Sequence, residues 1–515
     1  MSSKPRLVLP IVAALLIAAG AVAIVKVNGD RQAPGPAAPL PQSTRTGGSP
    51  NVLVIMTDDQ TLESMRVLDN VDRYLIDQGT TYTNYFTSFP TCCPSRVTYM
   101  SGQFAHNHGV RENVKPTGGY HKANQDEYLP VWLQRAGYWT GSVGKYLNEY
   151  GEDGNITPPN GWNRWFGLID PWTYRYFNYQ VSVDGQRQVY GDAPEDYQTD
   201  VLGGEVVRII TERATTDQPW FLSWTPLAPH AQEPEGRVGT GAGEENDNSG
   251  KQTIAERIRS TFPTPAPEFA GKMANQEMPR TPAYNQQDIS RSPSFIRNKQ
   301  PFNINVAALI RDGYRRELES LLSVDKWVKR IMDTLVATKQ LDDTVVVFTS
   351  DNGYFHGEHR LSFSKVFLYE PAVHLPLVIR GKGFPAGAKV PDPVSNVDLA
   401  PTILKLAGAT AAVTPDGRDV GSLATAPGTG MARGVLLENW RENGQNHSYG
   451  IRTDRYKYLV HKGGEEELFD LAMDPHEVRN LAADPSMAAV KAELGRRLDV
   501  LRTCKAAACE GFQAA

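Results

Sequence analysis

Short apolar runs alternate with helical stretches along most of this chain. Residues 51–56 form a continuous apolar run, and shorter runs occupy residues 138–143, 220–224 and 345–348. Runs of this kind are typical of strands buried on both faces, as in parallel sheets. Between residues 312 and 338, apolar residues recur at three- and four-residue steps, which predicts an amphipathic helix. The alternation predicts an α/β fold with a mainly parallel sheet flanked by helices.

The pattern changes near the C-terminus. Residues 434–440 and 449–461 have the character of two hairpin strands, and residues 486–503 have the spacing of a closing helix. We therefore predict a smaller α+β C-terminal unit over residues 409–515, after a large unit over residues 51–408.

A segment within the large unit has little periodicity. Residues 231–300 are rich in Gly, Glu, Asn, Ser and Pro. We interpret them as a long insertion over the functional edge of the sheet, and a disordered surface loop is the alternative of equal weight.

The N-terminus, residues 1–26, has the features of an export signal. Residues 7–25 are apolar and follow two basic residues. This length nearly spans a bilayer, which favours an uncleaved signal anchor, whereas the small residues at 18–23 suit a signal peptide that is cleaved. Residues 27–50, rich in Pro, Gly and Ser, form a linker. Both readings predict an extracytoplasmic protein, either secreted or anchored in the membrane at the cell surface.

The overall charge is weak. The formal net charge is −5 at pH 7, and charged residues make up 22% of the chain. Nothing in this balance favours a nucleic-acid partner. An anionic substrate would have to be attracted by a local pocket.

The four cysteines fall into two pairs. Cys504 and Cys509 close a short loop near the C-terminus, and a disulfide is the ordinary interpretation in an exported protein. Cys92 and Cys93 are adjacent, which matches no zinc-binding spacing.

Polar residues follow the predicted strands at their carboxyl ends. In open α/β sheets ligands bind at that edge. One such residue alone is weak evidence, because aspartates there often cap helices. Their shared placement is stronger evidence, and the residues concerned are Asp58, Asp59, Lys145, His230, Asp351 and Asn352.

The sharpest motif is Cys-Cys-Pro-Ser-Arg at residues 92–96, followed by Ser101 and Gly102. Pro94 suits the first position of a helix, which places Cys92 at its N-terminus. The free N–H groups at that end favour an anion, and Arg96 adds a fixed cation close by.

This motif resembles the C-x-P-S-R signature of the sulfatase family, whose first residue is oxidised to Cα-formylglycine. The resemblance extends from residue 51 to the C-terminal unit, where residues 467–471 and 474–475 look like the family's closing segment. It implies an alkaline phosphatase/sulfatase-like fold, hydrolysis of sulfate esters, and modification of Cys92 by a formylglycine-generating enzyme.

The resemblance also implies a metal site. Asp58 and Asp59 match the family's first metal pair, and Asp351 and Asn352 match its second, with modified Cys92 completing the set. Oxygen ligands of this kind suit Ca²⁺, and Mg²⁺ less well. The absence of histidine among them argues against zinc.

The remaining catalytic residues implied by the family are Lys145, His230 and Lys365, together with Arg96. A hydroxyl of the hydrated formylglycine would attack sulfur while Ca²⁺, Lys145 and Lys365 neutralise the sulfuryl oxygens. His230 would protonate the leaving alcohol.

One departure from the family pattern concerns the first lysine. Many sulfatases have Lys-x-His there, whereas this chain has Leu147 at the third position, which leaves the proton acceptor for sulfate release open. The segments 144–151 and 312–316 resemble the N-acetylglucosamine-6-sulfatase branch, which also lacks that histidine. The expected substrate is therefore a 6-sulfated glucosamine of a glycosaminoglycan-like carbohydrate. Candidates for contacting its neighbouring acidic groups are Arg291, Arg297 and Arg311.

Two other functions remain possible at this point. A phosphodiesterase or phosphonate monoester hydrolase of the same superfamily would share the metal and the nucleophile. A carbohydrate-binding surface protein that never receives the modification would have no catalytic activity.

Overall fold

A ten-stranded sheet forms the centre of the computed structural model, which describes residues 40, 42–43, 48–233, 254–440 and 448–509. In spatial order its strands are Ala388–Val390, Thr80–Tyr82, Leu377–Arg380, Thr344–Ser350, Asn51–Thr57, Trp220–Thr225, Trp139–Gly144, Arg164–Leu168, Gln180–Val183 and Gln186–Val189. The five strands in the middle of this order are parallel. Antiparallel pairings are added on both sides. The predicted α/β fold with a mainly parallel sheet is confirmed.

The four apolar runs of the sequence are central strands of this sheet. They are β1 (Asn51–Thr57), β2 (Trp139–Gly144), β3 (Trp220–Thr225) and β4 (Thr344–Ser350). β1 lies between β3 and β4, and both β1 and β4 are buried along their whole length. Because these strands are parallel, the residues that follow them meet at one edge of the sheet.

Two helices matter most for this edge. α1 (Cys92–Ser101) is buried throughout. α2 (Ile304–Ala337) begins eight residues before the predicted start at residue 312. Its N-terminus is fixed by Asn303, whose side chain accepts hydrogen bonds from two backbone N–H groups at 3.0 Å. An N-cap of this kind stabilises the first turn, and the prediction from apolar spacing alone overlooked it.

Shorter elements surround the sheet. The other α-helices are Asp69–Val71, Ala105–His108, Gly119–Lys122, Leu129–Arg135, Gln198–Arg213, Ile254–Ser260, Ser294–Arg297, Glu370–Val373, Leu399–Ala407 and Ala488–Leu501. Short strand pairs are formed by Tyr85–Phe86, Phe355–His356, Ser362–Ser364, His374–Leu375 and Val394–Ser395. Tight helical turns include Glu63–Val67, Trp172–Tyr174 and Asn396–Asp398.

The C-terminal unit is built on a four-stranded antiparallel sheet. Its strands are Val435–Asn439, Ser448–Arg452, Tyr456–His461 and Glu466–Asp470. The single strand predicted over 449–461 is therefore wrong. The chain turns there because Thr453 donates its backbone N–H to the Tyr456 carbonyl and accepts the Tyr456 N–H on its hydroxyl, each at 2.9 Å. The closing helix Ala488–Leu501 lies within the predicted 486–503, and Cys504 and Cys509 form a disulfide.

The long segment 231–300 packs against the fold in its described part, residues 254–300. Asn285 donates its backbone N–H to the Gly357 carbonyl at 2.8 Å, and His359 donates likewise to Ala283 at 2.8 Å. These bonds attach the segment to the loop that leads to Lys365. Residues 234–253 lie outside the described residues.

The predicted export signal, residues 1–26, also lies outside the described residues. Across the part of the chain that the structure does describe, no helix combines the length and apolarity needed to cross a membrane. The cleaved and anchored alternatives therefore both stay predictions, as do the domain boundaries at residues 50 and 408.

Candidate active site

Buried carboxylates converge just beyond the ends of β1 and β4. Asp58 and Asp59 follow β1, and Asp351 and Asn352 follow β4. The Asp59 N–H donates to Asp351 Oδ1 at 3.3 Å, and Asn352 Nδ2 donates to Asp59 Oδ1 at 2.5 Å. Asp59 has a φ of 66°, a left-handed conformation that is unfavourable for a residue with a side chain. Such strain is common at functional sites, and here it turns the Asp59 carboxylate towards the other acidic groups.

Cys92 lies beside these carboxylates at the first position of α1. It is 1% exposed, and its Sγ lies 3.4 Å from Asp58 Oδ1. Lys365 Nζ donates to the same sulfur at 2.9 Å. Burial, followed by the negative charge of Asp58, raises the pKa of the Cys92 thiol to about 12. In its unmodified form the thiol is therefore protonated at neutral pH and is a weak nucleophile.

Three cationic side chains bind the same carboxylates. Arg96 Nε donates to Asp351 Oδ2 at 2.8 Å, and Arg96 Nη2 lies 3.4 Å from Asp58 Oδ2. Lys145 forms a short ion pair with Asp58, and Lys365 forms one with Asp59.

Burial and pairing act in opposite directions on these charges. Burial alone would lower the pKa of Lys145, yet Asp58 raises it above its ordinary value. Burial favours the protonated form of Asp58, yet Lys145 and the other cations hold its pKa well below the usual range. Pairing therefore favours the charged forms of Lys145 and Asp58, whereas burial, followed by the charge of Asp58, raises the pKa of Asp351.

His230 completes the cluster from the loop after β3. Its Nε2 lies 3.5 Å from Asp59 Oδ2, and its Nδ1 lies 2.5 Å from the Ala231 carbonyl oxygen. Because a carbonyl only accepts, Nδ1 carries a proton and Nε2 is the nitrogen directed at the site. Burial lowers the pKa of His230. All nine site residues named from the sequence are thus linked by direct contacts in one cluster.

Tyr174 also belongs to this cluster, and sequence reasoning missed it. Lys145 Nζ lies 4.8 Å from the centre of its ring, and the ring of His230 lies 5.0 Å away. Its hydroxyl accepts a hydrogen bond from Asn148 Nδ2 at 2.5 Å. Asn148 donates its backbone N–H to Cys93 Sγ at 3.1 Å. Tyr174 lies on a short turn far from every motif, and the one available signal was Asn148 in the 144–151 segment.

Leu147 points away from this chemistry. It is 2% exposed and lies in the main hydrophobic core with Tyr150 and Trp165. A hydrocarbon side chain there contributes packing only. The departure from Lys-x-His therefore places no polar side chain at position 147, while Tyr174, whose hydroxyl is held by Asn148, lies beside Lys145.

The donor atoms of the cluster fit a hard cation. Ligand atoms of Asp58, Asp59, Cys92 and His230 lie within 4.8 Å of one another. Asn352 Oδ1 is buried and has no hydrogen-bond partner among the described residues. An orphaned oxygen beside several carboxylates is what Ca²⁺ or Mg²⁺ coordination would satisfy.

The arginines proposed from the sequence to contact the substrate lie elsewhere. Arg297 Nη2 pairs with Glu465 of the C-terminal sheet at 3.0 Å, and Arg311 lies 3.8 Å from Asp312. Arg291 is exposed, and its carbonyl accepts from Asn480 Nδ2 at 3.0 Å. None of the three has a recorded contact with the described part of the cluster.

Comparisons with known proteins agree with this geometry. A family model described as Sulfatase matches residues 50–409, and one described as N-sulphoglucosamine sulphohydrolase, C-terminal, matches residues 357–504. An arylsulfatase of Volvox carteri is 31% identical over 89% of this chain and 75% of its own length. The N-acetylglucosamine-6-sulfatase of Homo sapiens is 29% identical over 70% of this chain, which spans 61% of that protein.

A solved structure has a similar fold. That structure is of a protein in complex with its substrate D-glucosamine-2-N,6-O-disulfate, and its superposition on this chain gives a TM-score of 0.68. The similarity covers 88% of this chain and 97% of that chain at 24% identity. At this level of identity the likeness establishes the architecture.

Proposed function

Because this chain belongs to the sulfatase family and is a sulfuric ester hydrolase, we propose that it removes the 6-O-sulfate from glucosamine in a glycosaminoglycan-like carbohydrate. The observation that carries the proposal is the gathering of three cationic side chains around Cys92 and its neighbour Asp58: Lys365 donates to Cys92 Sγ, and Arg96 and Lys145 pair with Asp58. The likeness to an N-acetylglucosamine-6-sulfatase supports the choice of sugar. We place the activity outside the cytoplasm, which the export signal and the disulfide of the C-terminal unit support.

The nucleophile that we propose is formylglycine made from Cys92 by a formylglycine-generating enzyme. Two observations support it: the C-x-P-S-R motif, and the place of Cys92 at the start of α1 beside the buried carboxylates. The position of Cys92 Sγ, within reach of Asp58 and Lys365, then marks where a hydroxyl of the hydrate lies.

A Ca²⁺ ion would be held by Asp58, Asp59, Asp351, Asn352 and the modified residue 92. When bound, it would supply positive charge that favours the ionised form of one hydroxyl. The charges of the site support a divalent ion. Three carboxylates lie close together and would repel one another if unpaired. A divalent ion would offset their charge and free Lys145 and Lys365, which pair with Asp58 and Asp59 here, to hold the sulfuryl oxygens.

Different side chains act on the sulfate group and on the leaving alcohol. Lys145 and Lys365 hold the sulfuryl oxygens while the hydroxyl oxygen of residue 92 attacks sulfur and the ester S–O bond breaks. His230, whose Nε2 is directed at the site, gives its proton to the departing alcohol oxygen. To act as the donor, His230 must carry a proton on Nε2 as well as on Nδ1. Burial lowers the pKa of His230, and the charges of Asp59 and Asp58 favour the doubly protonated form against that effect.

The second hydroxyl explains why an aldehyde-derived residue is needed. When it loses its proton, the C–O bond to sulfate breaks and the aldehyde is restored. A serine or cysteine has no second hydroxyl on the same carbon and would remain sulfated.

A comparison of substrates tests the proposal. We expect kcat/KM on glucosamine-6-sulfate to exceed that on a uronate-2-sulfate or a simple aryl sulfate by about tenfold or more, which is about 1.4 kcal/mol of transition-state binding. Preference for the uronate or the aryl ester would overturn the specificity and leave the sulfatase assignment intact. Faster cleavage of a phosphodiester or phosphonate monoester would favour the rival activity.

A further inference from the structure

A second cavity opens beside the His230 loop. It has a volume of about 460 Å³, and its lining includes Gln232, Phe262 and three arginines, Arg259, Arg315 and Arg316. We call it the arginine pocket. Its volume lies within the range of ordinary small-molecule sites, and the catalytic cluster described above does not account for it.

The arginine pocket adjoins two active-site loops. Gln232, a lining residue, lies two residues after His230, and its backbone N–H donates to Thr261 at 2.8 Å. Phe262, another lining residue, stacks on Phe363 with ring centres 5.9 Å apart. Phe363 lies two residues before Lys365. The His230 loop therefore contributes to a wall of the pocket, and the Lys365 loop packs behind another.

The Asp312–Arg316 segment forms one side of the arginine pocket. Residues three and four apart face the same side of a helix, so Asp312, Arg315 and Arg316 line the pocket from the N-terminal part of α2. Gly313, between them, lets Phe262 approach, because a Cβ there would lie 3.0 Å from its ring. The segment 312–316, which resembles the N-acetylglucosamine-6-sulfatase branch, thus forms one wall of the arginine pocket.

The charges that face the arginine pocket are mainly positive. Arg316 is exposed and has no recorded hydrogen bond or ion pair within the described ranges. Arg315 is held by the Gln276 carbonyl at 2.8 Å and by a loose contact of 3.8 Å to exposed Glu277. Arg259 lies 3.6 Å from Asp312. The other acidic lining residue, Glu319, is 3% exposed and accepts the Met273 N–H at 3.1 Å.

In the proposed reaction, the part of the substrate beyond the sulfate ester lies on the side of this pocket. The sulfate is held by Lys145 and Lys365, and the departing alcohol lies at His230. The sugar and its neighbours must therefore extend on the His230 side. Arginine binds carboxylate and sulfate oxygens through paired N–H donors.

We propose that the arginine pocket binds the anionic group, carboxylate or sulfate, of the sugar next to the one that loses its 6-sulfate. This inference rests on the proposed function and adds to it a binding site for the acidic group of the neighbouring sugar. It also replaces Arg291, Arg297 and Arg311 by Arg259, Arg315 and Arg316 as the residues that contact neighbouring acidic groups.

The test compares four defined substrates with the full-length, matured enzyme. They are glucosamine-6-sulfate itself, a disaccharide in which a uronic acid adjoins it, the same disaccharide with the carboxyl reduced to an alcohol, and one with a sulfated neighbour. For wild type we expect kcat/KM on an acidic disaccharide to exceed that on the reduced one by about tenfold. In Arg316→Gln and Arg315→Gln this ratio should fall towards one. The uronate and sulfate arms show which anion the pocket prefers.

Arg330→Gln is the matched control, because Arg330 is an exposed arginine on the same helix, stacked over Trp327. It should keep the wild-type ratio. Equal rates of wild type on the acidic and reduced disaccharides, or a ratio unchanged in both pocket variants, would overturn the inference while glucosamine-6-sulfate is still cleaved. Absence of cleavage of glucosamine-6-sulfate would instead overturn the proposed function.

Discussion

Two clusters of buried charges in this protein occupy different places in the fold. One is the cluster of the proposed active site at the ends of β1 to β4, called the catalytic cluster. The other, here called the C-terminal charge cluster, consists of Lys457, Arg452, Glu370 and Glu477. Lys457 is completely buried and lies 2.7 Å from Glu370 and 2.6 Å from Glu477. It joins the C-terminal sheet to the helix Glu370–Val373.

The clusters differ in the atoms that they bring together. In the C-terminal charge cluster two carboxylates are tied to cations and to the backbone: Glu477 Oε2, for example, accepts the Glu370 N–H at 2.7 Å. In the catalytic cluster, ligand atoms of Asp58, Asp59, Cys92 and His230 lie within 4.8 Å of one another, and Asn352 Oδ1 is buried without a hydrogen-bond partner among the described residues. Burial of charge is therefore not what identifies the site. The close group of possible metal ligands, at an edge where parallel strands end, is the distinguishing feature.

The largest effect is expected from the nucleophile. Cys92→Ala should lower kcat by about 10⁴-fold or more, as loss of a nucleophile does in other hydrolases. The fold should persist, since the lost side chain contributes little apolar area. Activity assays and thermal unfolding check this pair of outcomes. In wild type, peptide mass spectrometry should show formylglycine at position 92 and a free thiol at Cys93. An active enzyme with unmodified Cys92 would disprove the nucleophile assignment.

The C-terminal charge cluster should respond in stability rather than in catalysis. Lys457→Met leaves two buried carboxylates without their shared cation and should cost about 3–5 kcal/mol of unfolding free energy. Denaturant unfolding measures this cost, and kcat per folded molecule should remain near that of wild type. Lys491→Met removes a partly exposed pair with Glu466 and should cost less than about 1 kcal/mol. An equal loss of unfolding free energy in Lys457→Met and Lys491→Met would contradict the distinction between the buried cluster and an exposed ion pair.

The unsatisfied oxygen of Asn352 can be tested by metal binding. Asn352→Ala should weaken Ca²⁺ binding by about 10–100-fold, which corresponds to about 1.4–2.7 kcal/mol, because one oxygen ligand is lost. Calorimetric titration of the purified protein measures this without an activity assay. Asn480→Ala is the control, since Asn480 caps backbone N–H groups in the C-terminal unit. Unchanged calcium affinity in Asn352→Ala would show that the ligand set is wrong.

Much of the fold was predictable because its central strands are uniform. The four apolar runs predicted β1 to β4 to within two residues, since a strand buried on both faces is apolar throughout. The start of α2 was missed because Asn303 sets it by capping rather than by apolar spacing. The turn at Thr453 was missed for a similar reason, since a side-chain hydrogen bond defines it.

The site was predictable where a residue follows a strand or lies in a motif. Asp58, His230 and Asp351 follow strands, and parallel topology brings such positions together. The partner of Arg297 was not predictable, because Glu465 lies immediately before the strand Glu466–Asp470 and meets Arg297 only through tertiary packing. Tyr174 carries no local signal, and its role depends on three contacts made across the fold.

Of the four predicted effects, that of replacing Tyr174 should be the smallest. It tests the contribution of the aromatic ring beside Lys145, where many sulfatases have a histidine and this chain has Leu147. Its ring contacts both Lys145 and His230, and Asn148 holds its hydroxyl. A buried cation–π contact contributes about 1–2 kcal/mol. Tyr174→Leu should therefore lower kcat/KM about tenfold, mainly through kcat, because both ring contacts are lost. Tyr174→Phe keeps the ring and should recover most of this activity. Tyr74→Leu removes a Lys329–tyrosine contact on the surface and should leave kcat/KM unchanged. Equal losses in the Phe and Leu variants would mean that the hydroxyl, rather than the ring, is what matters.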